Sequence, residues 1–179
     1  PGFSYVEAKK NYMHDWPVNV IKVYKGANYA KIINNILEHN GYSGISLSGS
    51  SGLIENNTIS RTVQYHPKGL GTCSSGSGAD ADGIRIYGSN HIIRGNRILD
   101  IASPIDKGNI NPHADCIQTF DAGIDEPVMT NTIIERNYFM VNHPSGSGIM
   151  MSALKGNPCH HITIRNNIFE FRKIGRAHV

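Results

Sequence analysis

The stretch Glu55-Asn56-Asn57-Thr58-Ile59 contains the phrase that decides the fold, because this phrase recurs along the chain. In each copy an asparagine is followed, one or two residues later, by an isoleucine or a phenylalanine. The asparagines of the five copies are Asn35, Asn57, Asn96, Asn137 and Asn167. Such recurrence is the sequence signature of a solenoid, in which each repeat forms one coil.

A second phrase alternates with the first and keeps a constant spacing to it. Its copies are Ser43-Gly44-Ile45, Asp82-Gly83-Ile84, Asp115-Cys116-Ile117 and Ser147-Gly148-Ile149. Twelve residues separate Ile45 from Asn57, and twelve again separate Ile84 from Asn96. Hydrophobic and polar residues alternate nearby, as in Ile84-Arg85-Ile86, which indicates strands with one face towards a core. The sequence therefore predicts an all-β solenoid of parallel strands with about five coils.

The recurring asparagines are predicted to be structural. Parallel strands of successive coils stack about 4.8 Å apart, so equivalent residues form columns along the solenoid axis. The asparagines of the first phrase then form an internal ladder, in which each side-chain amide bonds to the rungs above and below.

The composition fits one domain of this kind. The chain has 179 residues, of which 39% are hydrophobic, and its 19 glycines favour turns and short strands over long helices. The net charge of +3 suits an acidic polymer as partner but is too small for a nucleic-acid-binding surface. No apolar run is long enough to span a membrane. The oligomeric state and the pairing of Cys73, Cys116 and Cys159 stay open.

The ends of the chain lead to an expectation about its origin. It starts at Pro1, and its last residues, Ile174-Gly175-Arg176-Ala177-His178-Val179, depart from the repeat. One back-translation of these residues matches common sequencing-adapter DNA, so residues 174–179 are predicted to be a non-native read-through tail. Residues 1–173 are then one solenoid domain, the central fragment of a protein that is secreted, periplasmic or on the cell surface.

Insertions interrupt the repeat and point to a functional face. Residues 61–79 and 102–112 are inserted between a copy of the first phrase and a copy of the second that begins with aspartate. Because long loops of a solenoid tend to collect on its functional face, these two are predicted to flank one groove. Two other insertions, 121–129 and 153–158, follow the second phrase and are predicted to lie at a different corner.

The candidate site lies in the two interrupted coils. Aligning these coils places Asp80-Ala81-Asp82-Gly83-Ile84-Arg85 over His113-Ala114-Asp115-Cys116-Ile117-Gln118. Asp82 then stacks on Asp115, and Asp80 stacks on His113. The flanking coils carry serine in the aspartate column, so the acids occur only between the inserted loops. Asp82, Asp115 and His113 are therefore predicted to be catalytic.

Three interpretations of the stacked acids follow from their chemistry. Two carboxylates one coil apart repel each other unless a proton or cation is shared. A separation of about 5 Å suits a retaining glycosidase, and a wider one suits an inverting enzyme. Alternatively, Asp80, Asp82 and Asp115 hold a calcium ion, which would be the only cofactor expected. In the third interpretation, Asp82 and Asp115 are structural and cap turns by accepting backbone N–H groups.

Other side chains beside this column are predicted to bind substrate. Arg85 and Gln118 point outward from their strands, where Arg85 can neutralise a substrate carboxylate and Gln118 can hydrogen-bond to a hydroxyl. Tyr87 and His66 are predicted to line the groove, since aromatic rings are good platforms for sugars.

With both recurring phrases, the chain resembles the right-handed parallel β-helix superfamily over roughly residues 20–171. This superfamily includes pectate lyases, polygalacturonases, alginate epimerases and phage tailspikes, so the resemblance implies a fold and not one activity. Asp82-Gly83 and Asp115-Cys116-Ile117 resemble two polygalacturonase signatures, with Ala114 in place of the first acid of the second signature. Asn111-Pro112-His113 resembles the Asp-Pro-His motif of mannuronan epimerases, which abstract a proton from a uronate ring.

Two functions are therefore expected. The first is a polysaccharide lyase or glycoside hydrolase acting on a uronate-containing polysaccharide. In its lyase form His113 acts as base, and Arg85 or a cation stabilises the enolate-like charge. The second is a non-catalytic β-helix that binds glycans or forms a structural shaft, as in tailspikes and adhesins.

Overall fold

The computed structural model of the protein describes residues 5–16, 19–62, 81–101, 114–121, 127–142, 146–152 and 158–171. These residues form 17 strands. In chain order the strands are β1 (Glu7–Lys9), β2 (Tyr12–His14), β3 (Ile21–Val23), β4 (Lys31–Ile33), β5 (Ile36–Glu38), β6 (Ser43–Ser50), β7 (Leu53–Glu55), β8 (Thr58–Ser60), β9 (Asp82–Ser89), β10 (Ile92–Arg94), β11 (Arg97–Leu99), β12 (Asp115–Phe120), β13 (Thr130–Glu135), β14 (Tyr138–Val141), β15 (Ser147–Ser152), β16 (His160–Arg165) and β17 (Ile168–Phe171).

The strands follow one another around a rising coil. Five coils have three strands each, and β16 and β17 begin a sixth. Strands of successive coils pair in parallel, so that β1, β4, β7, β10, β13 and β16 form a first stack. A second stack consists of β2, β5, β8, β11, β14 and β17, and a third of β3, β6, β9, β12 and β15. This parallel β-helix confirms the predicted all-β solenoid.

Within the described ranges there is no helical segment with the length and apolar character of a membrane span.

The hydrophobic core fills the inside of the coils, because alternate residues of each strand point inward. Inward residues of the first stack are Ile32, Ile54, Ile93 and Ile134, and those of the second are Leu37, Ile59, Ile98 and Phe139. Full burial of one such side chain stabilises the fold by about 1.5–3 kcal/mol. Each coil therefore gains stability by packing its aliphatic side chains against those of the coils above and below.

The asparagine ladder is confirmed and has one more rung than predicted. Asn57 Oδ1 accepts hydrogen bonds from the backbone N–H and the side-chain amide of Asn35, both at 2.9 Å. Asn57 Nδ2 in turn donates to Oδ1 of Asn96 at 3.0 Å. The same contacts join the whole ladder, which consists of Asn11, Asn35, Asn57, Asn96, Asn137 and Asn167.

A left-handed turn explains why several copies of the first phrase begin with two asparagines. The residue before the ladder asparagine has a positive φ, 57° at Asn34, 54° at Asn56 and 56° at Asn166. Asparagine tolerates this conformation better than most residues, and glycine, found at Gly95, adopts it freely. The first asparagine therefore makes the turn and the second forms the ladder.

The third stack carries the candidate site. Residues 63–80 and 102–113 lie outside the described residues, and so does the predicted tail, 174–179. Residues 63–80 and residues 102–113 each connect a second-stack strand to a third-stack strand. The two long insertions therefore enter at one corner, as predicted. The other two insertions connect third-stack to first-stack strands and enter at a different corner, again as predicted.

Candidate functional site

Asp82 and Asp115 occupy equivalent positions at the starts of β9 and β12. The two strands pair in the register that places the aspartates one coil apart. Ser43 pairs with Asp82 on one side, and Ser147 pairs with Asp115 on the other. The predicted column, with two acids flanked by two serines, is therefore present.

Both carboxylates take part in the backbone hydrogen-bond network. Asp82 Oδ1 accepts the N–H of Asp115 at 3.1 Å, and Asp115 Oδ1 accepts the N–H of Ser147 at 3.0 Å. Both aspartates are fully buried, at 0% exposure. Each aspartate thus caps the strand start of the next coil, which is the geometry expected in the structural interpretation. The catalytic role of the pair stays a prediction.

The glycine after Asp82 allows the chain to turn a corner while the carboxylate faces outward. A Cβ at Gly83 would lie 2.5 Å from Ile98 Cγ2 and 2.6 Å from the carbonyl oxygen of Cys116, so this position faces the core. Ile84, the next residue, also lies in the core. Two consecutive inward positions interrupt the alternation and bring Asp82 and Arg85 to the same outer face.

Arg85 lies on the outer face of β9 but is buried there by an ion pair and two aromatic rings. Its Nε donates to Asp82 Oδ2 at 2.8 Å, and its guanidinium carbon lies 4.5 Å from the ring centre of Tyr42 and 5.7 Å from that of Phe120. Only 6% of the residue is exposed. Arg85 therefore lies on the predicted face, but its contacts within the described chain are those of a group that orients Asp82. Its contact with substrate stays a prediction.

Gln118 and Tyr87 also lie on the outer face and are buried. Gln118 pairs with Arg85 across β9 and β12, and its Nε2 lies 3.4 Å from Asp115 Oδ2. The ring of Tyr87 packs edge-on against Phe120, with the ring centres 5.6 Å apart. Direct contact between a sugar and either side chain would require this face to open, so their substrate-binding roles stay predictions.

The remaining predicted site residues, His113, Asp80 and His66, lie outside the described residues. Among the side chains that are described, no three His, Cys, Asp or Glu residues are placed to hold a metal ion. The oxygens of Asp82 fit calcium poorly, because Oδ1 accepts a backbone N–H and Oδ2 accepts a guanidinium N–H. Calcium at Asp80, Asp82 and Asp115 stays a prediction.

Cys116 belongs to the buried core, and its thiol is inert. Burial is the main cause that raises the pKa of the Cys116 thiol well above its usual range, and the nearby charges of Asp115 and Asp82 raise it further. A thiol of this kind stays protonated near neutral pH and is a poor nucleophile.

Tyr42 is a neighbour of the site that the sequence did not indicate. Its backbone oxygen accepts the N–H of Asp82 at 2.9 Å, and its ring covers the Arg85 guanidinium. Unlike the buried members of the site, it is 43% exposed. The sequence feature that could have indicated Tyr42 is its position directly before the Ser43-Gly44-Ile45 phrase. This position is equivalent to the residue that precedes each aspartate in the next two coils.

Among the comparisons with known proteins, the match to a family model supports the fold. A solved structure, that of a mannuronic acid specific polysaccharide family 6 lyase enzyme from human gut microbiota, is similar with a TM-score of 0.45 and 12% sequence identity. The similarity covers 93% of this chain and 44% of the lyase, so the chain spans less than half of that protein's length. No curated protein sequence matches the chain. The family model of the right-handed β-helix region matches residues 4–177, and the chain therefore belongs to the right-handed β-helix family.

Proposed function

We propose that this chain is a carbohydrate-active β-helix protein that cleaves a uronate-containing polysaccharide, as a lyase or as a glycoside hydrolase. The observation that carries this proposal is the stacking of Asp82 and Asp115 in adjacent coils of the third stack. Arg85 and Gln118 lie beside them on the same face, whereas the flanking coils carry serine in the aspartate column. Two acids with a cation beside them, confined to one pair of coils, are the groups that cleavage of an acidic sugar needs.

For a lyase, the chemistry needs a base and a stabiliser of negative charge. The base removes the proton at C5 of a uronate, the electron pair forms a double bond to C4, and the oxygen at C4 leaves with the bonding pair and is then protonated. In this proposal His113 is the base, and Arg85 together with Asp82 sets the electrostatic field of the site. Arg85 is fixed for this task by its bond to Asp82 and its contact with Tyr42.

For a hydrolase, the same column supplies the two carboxyl groups. Strands of adjacent coils lie about 4.8 Å apart, which is near the separation of the acid and the nucleophile in retaining glycosidases. One of the two carboxyl groups would then protonate the leaving oxygen, and the other would attack the sugar.

A non-catalytic glycan-binding or structural β-helix is the second candidate. It is favoured by the capping bonds of Asp82 and Asp115 and by their complete burial. A carboxylate with this geometry has a sufficient structural reason to be present, because a strand start gains a hydrogen-bond acceptor.

In both candidates the partner is an acidic polysaccharide, which the net charge of +3 suits. Because such polymers lie outside the cytoplasm in most settings, placement as a secreted, periplasmic or cell-surface protein is part of the proposal. The proposal requires no cofactor, and the arms with and without calcium in the experiment below test the prediction of calcium at Asp80, Asp82 and Asp115.

The experiment that tests cleavage follows ultraviolet absorbance while the protein is incubated with pectate, alginate or a glycosaminoglycan, with and without calcium. Asp115→Asn is the informative variant, because asparagine keeps an Oδ1 acceptor for the Ser147 N–H but removes the charge. Asp15→Asn is the matched control, since Asp15 is an exposed aspartate three coils away from Asp115.

Rising absorbance in the wild type and the control, but not in Asp115→Asn, would establish a lyase. A flat trace with new reducing ends would establish a hydrolase. Neither signal on any polymer, together with normal folding, would reject cleavage and leave the binding candidate.

A further inference from the structure

Two exposed aromatic residues lie on successive coils at the corner that leads into the third stack. Trp16 is 55% exposed and Tyr42 is 43% exposed. The N–H of Gly41, next to Tyr42, donates to the backbone oxygen of Trp16 at 2.6 Å, so the two residues belong to neighbouring turns of the same corner. We define these two side chains as the corner aromatics.

The backbone holds the corner aromatics firmly. The N–H of Trp16 donates to Oδ1 of the buried Asn40 at 3.1 Å, so the turn carrying the indole is tied to the coil above. Tyr42 adopts a left-handed conformation with φ of 66°, and its oxygen accepts the N–H of Asp82. Other turns of the described coils also carry a residue with positive φ, so this conformation is part of the turn that fixes the backbone of Tyr42.

Arg85 supports the Tyr42 ring from the inner side. Its guanidinium lies 4.5 Å from the ring centre and is itself fixed by Asp82. The cation–π contact orients the ring at little cost in side-chain entropy, while a large part of the residue stays in contact with water. Since the other described members of the site are buried, Tyr42 is the member that an arriving ligand can touch first.

We propose that Trp16 and Tyr42 form a stacking platform that binds a pyranose ring of the polysaccharide next to the Asp82–Arg85 pair. The proposal rests on the proposed function and names the subsite through which the polymer reaches the third stack. Flat aromatic faces suit the apolar C–H face of a sugar, and the amphipathic rings of tryptophan and tyrosine are well suited to sites that alternate between water and ligand. The strand register places Trp16 level with Asn40, two residues before Tyr42, so the two rings lie on successive coils about 4.8 Å apart along the axis but not in one column. In this proposal a long polymer that runs along the solenoid axis reaches both rings.

The chain offers a direct reporter for this subsite, because Trp16 is its single tryptophan. Intrinsic tryptophan emission is measured while the full chain is titrated with mannuronate or galacturonate oligomers, and affinity is measured in parallel by calorimetry. We expect a saturable change of emission at the affinity given by calorimetry. Tyr42→Asn, chosen because asparagine tolerates the left-handed backbone, should weaken binding by about tenfold, and Trp16→Ala should do the same in calorimetry.

Two control variants make the result specific. Tyr42→Phe keeps the ring and should bind as the wild type does. Tyr24→Asn removes another exposed tyrosine, 69% exposed, which lies at the opposite end of β3 from the corner, and it should change affinity less than twofold.

The outcomes separate the platform from the proposed function. Oligomer binding in calorimetry with unchanged emission, or with full affinity in Tyr42→Asn, would overturn the platform and leave the proposed function intact. Absence of binding to every acidic oligomer would overturn both. A change of sedimentation coefficient on removal of the rings, without a change in sugar affinity, would assign the corner to a protein interface instead.

Discussion

The backbone N–H of Asp115 donates a hydrogen bond to Oδ1 of Asp82 over 3.1 Å, from one coil to the next. The same carboxylate binds Arg85 through Oδ2 at 2.8 Å. Asp82 therefore has two separable tasks, because the bond to Asp115 needs only an acceptor oxygen, whereas the bond to Arg85 draws on the negative charge. Replacement by asparagine removes the second task and keeps the first.

Asp82→Asn is expected to lower the free energy of unfolding by about 3 kcal/mol, because a buried guanidinium loses its carboxylate. Arg85→Gln should be destabilising as well, and the double variant should cost clearly less than the sum of the two single changes. Urea denaturation of all four proteins measures this coupling. Additive effects would show that the Asp82–Arg85 pair contributes little to stability.

His91 gives the stability of the fold a pH dependence of its own. Its Nδ1 accepts the N–H of Gly52 at 3.0 Å, so Nε2 carries the proton and donates to the Tyr87 oxygen at 3.0 Å. Burial lowers the pKa of His91 to about 4, and the bond to Tyr87 opposes this shift. The folded protein therefore holds this histidine neutral.

Because the pKa of His91 is lower in the folded protein than in the unfolded chain, the fold loses stability as the pH falls. Above about pH 6.5 neither the folded nor the unfolded chain protonates His91, and its contribution is complete. As the pH falls from 6.5 towards 4, only the unfolded chain binds the proton, and up to about 3 kcal/mol of stability is lost. Unfolding free energies between pH 7 and pH 4 should fall less steeply in His91→Gln than in the wild type. Parallel curves for the two proteins would contradict this assignment, since all other titrating groups are shared.

The repeat was predictable because each coil must solve the same packing problem. A ladder asparagine such as Asn57 recurs because one residue must bridge the coils, and the residue two positions later, such as Ile59, is hydrophobic because it must fill the core. The rung at Asn11 escaped notice because its copy of the phrase, Asn11-Tyr12-Met13, replaces the usual isoleucine or phenylalanine by methionine. In the structure, a ladder asparagine is identified by the asparagines of the coils above and below it. In the sequence, it is hard to find where the hydrophobic residue that follows differs from that of the other copies.

The candidate site was predictable in its register but not in its burial. The alternation of hydrophobic and polar residues along β9 correctly placed Arg85 on the outer face of the strand. This alternation does not indicate which residues cover that face and bury Arg85. The contact between Arg85 and Tyr42 joins residues 43 positions apart in the chain, and it depends on the corner turn before β6. Contacts of this kind depend on side-chain directions at corners, which the strand period does not determine.

Gly88 lies where two successive coils approach each other closely, and the fold depends on a glycine at this position. Its φ is 93°, and a Cβ there would lie 1.8 Å from the carbonyl oxygen of Gly49 in the preceding coil. Gly88→Ala is therefore expected to cost about 3 kcal/mol or more, from the clash and the left-handed backbone together. Gly26→Ala is the matched control, because Gly26 has a similar φ of 89° but no atom within 4 Å of the added Cβ.

The control isolates the backbone strain, which should cost about 1 kcal/mol. Thermal and urea unfolding of both variants measure the difference. If the two variants lost the same free energy of unfolding, the coils around Gly49 would be able to separate without cost. That result would contradict a close approach between Gly88 and Gly49.

Substitution in the middle of the asparagine ladder should cost more stability than substitution at its end. Asn96 Oδ1 accepts the backbone N–H of Asn57, and Asn96 Nδ2 donates to the oxygen of Ile54 and to Oδ1 of Asn137. Asn96→Ala leaves several of these buried groups without a partner, and each orphaned group costs about 1–3 kcal/mol. We expect a total loss of about 4 kcal/mol.

Asn11→Ala tests whether that loss comes from position in the stack. Asn11 makes its ladder bonds to Asn35 alone, both donated towards the coil above, and its site is only partly buried. Water can replace much of what the substitution removes there, so the expected cost is about 1 kcal/mol. Urea midpoints of the two variants should therefore differ severalfold in their shift from the wild type. A similar shift in both would mean that the end of the ladder is as inaccessible to water as its middle.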